Sequence, residues 1–195
     1  MHHLKFTAGL TGLLFLLLMA SCKPSAKSDP ADKPEQKTAT STDNAVAVSS
    51  GSKADAAAIL QRKQVPVLCY HHIRPFKPGE SERMKSYSVT PDAFAEQMKA
   101  LHDSGYQTVL PDQLYEYLVY GKSLPAKPIM LTYDDTDEEQ FSIGKTEMDK
   151  YGFKGVYFIM TISINRPRYM SKEQIKQLAD EGHAVECHTW DHHMV

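Results

Sequence analysis

The chain is poor in cysteine, in net charge and in long apolar runs, and each shortage removes a class of protein. Three cysteines in 195 residues are too few for a disulfide framework. With 22 Lys+Arg against 24 Asp+Glu, the formal net charge is −2. No general electrostatic case for nucleic acid follows, because its binders usually present a strongly basic face. The main apolar run, residues 6–19, is interrupted by Gly and Thr and is shorter than the about 20 residues that a membrane span needs. Hydrophobic content of 42% suits a globular protein, but it is unevenly spread.

Residues 1–22 carry Lys5, then the apolar run, then Ala20 and Ser21 before Cys22. This is the layout of a secretory signal, and Cys22 stands where bacterial lipoproteins carry their acylated cysteine. The stretch resembles a lipobox, with Met19 where Leu is commoner; the alternative is an ordinary signal peptide with an incidental cysteine. Residues 23–60 hold five lysines and five acids and no aromatic residue. That composition cannot bury enough apolar surface to offset ordering entropy, so it is expected to be a disordered tether. Lys23 after the cysteine resembles lipoproteins sent to the outer membrane in a Gram-negative cell. The expected location is the cell envelope, facing the periplasm or the surface.

From residue 64 the pattern alternates. Apolar runs at residues 65–70, 106–110, 129–133, 155–160 and 183–187 read as strands. Thr90-Pro91-Asp92, Pro111-Asp112 and the capping box Ser171-Lys-Glu-Gln174 read as helix starts, with a polar helical stretch running to Lys150. Gly105, Gly121 and Gly182 stand where helices should stop. The expected fold is α/β, with a parallel sheet or part of a barrel. Cys69 and Cys187 lie inside these strands and are expected to be buried.

Three polar clusters fall at strand ends: His71-His72, Asp134-Asp135 and His188…His192. Catalytic groups of parallel α/β folds gather at that edge. Neighbouring strand residues point to opposite faces, so one aspartate can bind a cation while the other takes a proton. A solvated acidic turn is the alternative, since Asp137, Glu138 and Glu139 follow. His188 and His192 share a face if the chain makes a helical turn, and two His with one carboxylate form a three-point metal site. A packed histidine pair is the alternative.

Thr132-Tyr-Asp-Asp-Thr136 together with His188-Thr-Trp-Asp-His192 resembles the polysaccharide deacetylase family, the NodB-like carbohydrate esterases. The Val65-Pro-Val-Leu-Cys-Tyr-His-His-Ile start and the stretch from Phe94 to Tyr106 resemble the poly-N-acetylglucosamine deacetylase branch. The resemblance spans residues 64–195 and implies a partial NodB-like (β/α) barrel behind the signal peptide and tether. It implies Asp134 as catalytic base, and Asp135, His188 and His192 as ligands of a divalent ion (Zn, with Co, Ni or Fe as alternatives). Thr189 would support the ligands.

The implied reaction is hydrolysis of N-acetyl groups on an N-acetylglucosamine-containing polysaccharide. Two other readings stand beside it: an O-acetyl xylan esterase with the same mechanism, and a non-catalytic carbohydrate- or metal-binding surface lipoprotein. The expected partners are a polysaccharide and, through a lipid on Cys22, a membrane. Thr136 replaces the family's usual Gly, so the loop after Asp135 is expected to take a different path. The family's later Arg-Pro motif and late general-acid His have no match after His192. Arg166-Pro-Arg168 precedes the histidine motif and is not that match. About 135 residues remain beyond the tether, and five strands fall short of a closed barrel of about seven or eight units. The expectation is therefore the front part of a larger deacetylase.

Overall fold

The computed structural model describes residues 51–193. The signal, Cys22 and most of the tether lie outside the described residues. The last part of the tether stretch is ordered: Asp55 caps a short helix α1, Ala56–Leu60, through its side chain. Ala54 N–H donates to Val119 C=O, 2.8 Å.

Strand β1 (Val67–Tyr70) runs into β2 (His72–Ile73), and a short helix α2 (Glu82–Ser86) leads to β3 (Ser88–Val89). The pair β2–β3 forms a small parallel sheet of its own, which the sequence pattern did not suggest. Helix α3 (Pro91–Asp103) begins as expected, with the Thr90 hydroxyl accepting from Ala93 N–H. It buries Phe94 and Met98. Strand β4 (Gln107–Thr108) is followed by α4 (Pro111–Tyr120), which ends at Gly121 in the left-handed conformation that spares glycine a steric penalty. Strand β5 (Pro128–Tyr133) is buried throughout. After it comes a π-turn at Gln140–Lys145 before α5 (Thr146–Asp149). The polar helical stretch is thus only partly α-helical. Strand β6 (Val156–Ile159), α6 (Lys172–Asp180) with its Ser171 capping box, and β7 (Ala184–Cys187) complete the described chain.

The main sheet runs β1-β5-β6-β7, with β4 paired to the first residues of β5, and every pairing is parallel. The expected α/β class and parallel sheet are therefore observed. Register places Tyr70 opposite Tyr133 and Tyr133 opposite Tyr157. Their rings stack at 5.5 Å and 4.8 Å between centroids, forming one aromatic ladder across three strands. Gly155 is required beside it, because a Cβ there would stand 2.8 Å from Tyr133 Cε2. This ladder fixes β1, β5 and β6 against one another directly beneath the residues that follow each strand.

Cys69 and Cys187 are free and exposed, contrary to the expectation of burial. Among the described residues β1 and β7 are the two ends of the strand path, and their flanks are less covered than those of β5. Two strands separate them, about 14 Å at the usual strand spacing, beyond disulfide reach.

Candidate functional site

The site lies at the carboxyl edge of the sheet, where β1, β5 and β7 deliver their polar residues. Asp134 N–H donates to Tyr70 C=O, 3.0 Å, carrying the β1–β5 ladder one step past the strand. Side chains two apart share a face, so Cys69 and His71 of one strand look toward Thr132 and Asp134 of the other. His71 Nε2 lies 3.9 Å from Asp134 Oδ2, and Tyr87 packs edge-on against the His71 ring at 5.0 Å.

Gln140 is fully buried, and its Nε2 donates to His71 C=O at 2.8 Å and also to Asp134 C=O. One amide therefore ties together the backbones that present the imidazole and the carboxylate. The π-turn supplies this residue, a local irregularity of the kind often found at functional sites.

Asp135 turns away from Asp134 with φ +77°, and Thr136 follows at φ +70°. Thr136 takes the left-handed conformation despite its β-branched side chain. Thr136 is buried, its Oγ1 accepts from Met160 N–H at 2.8 Å, and its C=O accepts from Met170 N–H at 3.0 Å. These bonds oppose the steric cost of about 1–2 kcal/mol that an L-residue bears there.

Asp135 Oδ1 lies 3.2 Å from His188 Nε2 and 3.7 Å from His192 Nε2. The histidines do not come together through a helical turn, as the four-residue spacing suggested. Thr189 and His192 both have positive φ, and the loop folds back on itself. Thr189 Oγ1 accepts from His192 N–H at 2.9 Å, and His188 N–H donates to Ile159 C=O at 2.9 Å. The two rings meet at 4.9 Å. Asp135 Oδ1 and His188 Nε2 are buried, and neither has a hydrogen-bond partner among the described residues. Buried polar atoms without partners are costly, and a carboxylate oxygen and an imidazole nitrogen facing each other with lone pairs fit a cation between them. With His192, three ligand atoms lie mutually within 4.8 Å.

Asp134 belongs to a separate group with Cys69 and His71. Burial lifts the Cys69 thiol above its ordinary range, the Thr132 hydroxyl draws it down, and the Asp134 carboxylate lifts it again. His72 faces the other way, toward Asp137 and Glu139. Asp137 first, and Glu139 second, hold its imidazole up at about 9. Burial lifts Asp137 itself even with His72 beside it. That pair borders a cleft of about 710 Å³ lined by Arg74, Glu138, Arg168 and Tyr169 among others. Trp190, between the two histidines, is 63% exposed.

Asp134, Asp135, His188, His192 and Thr189 therefore meet in one place, in two groups that keep the aspartates apart. His71 and Gln140 are the additions. His71 was visible only as half of a polar pair, and its role depends on long-range pairing with β5. Gln140 carried no signal in the pattern.

Residues 121–195 match the family model described as polysaccharide deacetylase. Over 129 residues the chain is 33% identical to YxkH of Bacillus subtilis (strain 168), provisionally named a polysaccharide deacetylase; the match covers 66% of this chain and 43% of that protein. Among solved structures, IcaB from Ammonifex degensii aligns at TM-score 0.56 with 28% identity, over 65% of this chain and 53% of the other. A polysaccharide deacetylase from Bacillus cereus aligns at TM-score 0.58 with 25% identity, over 67% of this chain and 40% of the other. The chain thus spans about half the length of these relatives, or less.

Proposed function

The chain belongs to the polysaccharide deacetylase family, and from that premise we infer that it hydrolyses N-acetyl groups on a carbohydrate polymer containing N-acetylglucosamine. One observation carries the reading: of two adjacent aspartates, Asp135 faces His188 and His192 while Asp134 faces His71. That separation supports a division of labour, with cation binding at Asp135 and proton transfer at Asp134.

Asp135, His188 and His192 would hold the divalent ion, and the unpartnered buried atoms of Asp135 and His188 support that fit. The ion, when bound, supplies Lewis-acid polarisation of the acyl carbonyl; two imidazoles and a carboxylate suit Zn, Co, Ni or Fe. Asp134 Oδ2 accepts the proton of the water that attacks the acetyl carbonyl carbon. His71 Nε2, from the other strand, gives a proton to the departing amine nitrogen. The products are a free amine and acetic acid, which gives up its proton to solvent as acetate, and the proton taken by Asp134 balances the one given by His71. Gln140 keeps both groups on converging backbones, and Thr189 holds the His192 end of its loop.

The test is acetate release from acetylated glucosamine oligomers by the metal-loaded chain, with Asp134→Asn and Asp135→Ala in parallel. We expect both variants to lose release, and only Asp135→Ala to lose stoichiometric metal. Equal release by the wild type and Asp134→Asn overturns the assignment. Acetylated xylan run beside the oligomers separates O- from N-deacetylation.

The N-terminal features support a lipid-anchored location in the bacterial cell envelope, through Cys22 and the tether behind it. No helix among the described residues is long and apolar enough to cross a membrane. Mass spectrometry of membrane-extracted protein tests the anchor: a diacylglycerol adduct on Cys22 is expected, and an unmodified Cys22 in the mature chain ends the idea.

A further inference from the structure

We propose that Cys69, His71 and Asp134 form a second cation position, at which an excess thiophilic divalent ion such as Zn²⁺ binds and shuts off the acid–base pair. The proposal rests on the reading of His71 and Asp134 as acid and base, and it names a regulation of that site.

Strand register builds the position. Cys69 sits opposite Thr132, and the residues two further on, His71 and Asp134, share its face. A sulfur, an imidazole nitrogen and a carboxylate oxygen consequently lie mutually within 4.8 Å. Cys69 is exposed, so an ion from solvent reaches it. Three donors of S, N and O type with an open fourth position are what Zn²⁺ accepts. Mg²⁺ and Ca²⁺ prefer all-oxygen sets, so the position discriminates by softness.

The other two clusters are less open to a cation. In one, His72 is already closed on Asp137. In the other, the Lys145 ammonium already bridges Asp149 and Glu181, at 2.6 Å and 2.5 Å.

Occupation has a defined chemical consequence. An imidazole whose Nε2 lone pair is coordinated carries no proton there, and a coordinated Asp134 oxygen no longer accepts one. Binding displaces the Cys69 thiol proton and the His71 Nε2 proton to solvent, and no electron is transferred. One metal ion would activate the chain and a second would silence it, so activity should rise and then fall as metal is added.

The experiment titrates the metal-free full chain with Co²⁺, reading thiolate-to-cobalt charge-transfer absorption and metal per chain, and separately measures acetate release in excess Zn²⁺. The first equivalent should bind without the sulfur band and the second should bring it. Cys69→Ser and Cys69→Ala should lose the band and the second equivalent while keeping the first, and Cys187→Ser should keep both. Excess Zn²⁺ should lower wild-type release at least about tenfold, the scale of an acid–base contribution, with little further effect on either Cys69 variant relative to its own starting rate. Absence of the sulfur band, or equal Zn²⁺ inhibition with and without Cys69, overturns the proposal. Failure of the parent reading looks different: His188→Ala would keep the first equivalent, or Asp134→Asn would release acetate normally, whatever the sulfur band does.

Discussion

His71 Nε2 and Asp134 Oδ2 stand 3.9 Å apart across the end of the β1–β5 pair. A water and a leaving amine can be served from opposite sides of that gap. Replacing His71 with Ala should lower kcat by about 10²–10⁴-fold, the usual contribution of a positioned acid, while metal stoichiometry stays unchanged. The loss should shrink for substrates whose leaving group needs no proton, such as activated aryl acetates. An equal loss on aryl and amide acetates would make His71 structural rather than catalytic.

Thr136 holds a glycine-like conformation at φ +70° and is retained by its hydroxyl's bond to Met160 N–H. Thr136→Ala keeps the steric cost and strands a buried donor, so it should destabilise the chain by about 1–3 kcal/mol. Thr136→Ser keeps the acceptor and should lose less. Urea unfolding of the two variants measures the difference, and equal losses would show that the hydroxyl contributes nothing. Because Asp135 precedes Thr136 in the same turn, Thr136→Ala should also weaken metal binding.

His183 accepts from Gly155 N–H at 3.0 Å through Nδ1, and burial pulls its pKa down to about 4 from an ordinary 6.5. A depressed histidine favours the fold while the unfolded side chain is also neutral. Its stabilisation is therefore intact above pH 6.5 and is lost as pH falls from there through about 4. His183→Ala should cost about 1–3 kcal/mol at neutral pH by stranding the Gly155 donor. Its unfolding midpoint should then fall less than the wild type's over that acid range. Parallel urea curves at neutral and acid pH decide it; identical pH slopes would exclude His183 as the titrating group.

The helix starts at Thr90, Pro111 and Ser171 were legible because capping and proline act within one turn. The strands were legible because apolar runs bounded by Gly and Pro are local too. The Asp134-Asp135 and His188/His192 pairs were legible as chemistry, yet their geometry was not. The histidines converge through a loop with two left-handed residues, where the spacing had suggested a helical turn. What stayed hidden depends on long-range pairing. Cys69 lies on a strand that ends the path among the described residues, His71 matters only because β1 pairs with β5, and Gln140 reaches both only because a π-turn rotates it inward. The conformation of Thr136 was hidden for another reason: tertiary hydrogen bonds overrode the residue's own preference.

Trp190 stands between His188 and His192 in the sequence, with its C=O accepting from Ile162 N–H at 3.0 Å and 63% of the residue exposed. A large apolar ring left in water and anchored through its own backbone is an informative exception to burial. Beside a site proposed to act on sugars, such a ring offers a flat face for the C–H groups of a pyranose. Trp190→Ala should raise KM for oligomers by about three- to tenfold, the worth of one aromatic contact, and leave kcat nearly unchanged. A monosaccharide too short to span the loop should show no change in KM. A fall in kcat with KM unchanged would instead mean that the ring positions His188 and His192, and metal affinity measured on the same variant would then fall with it.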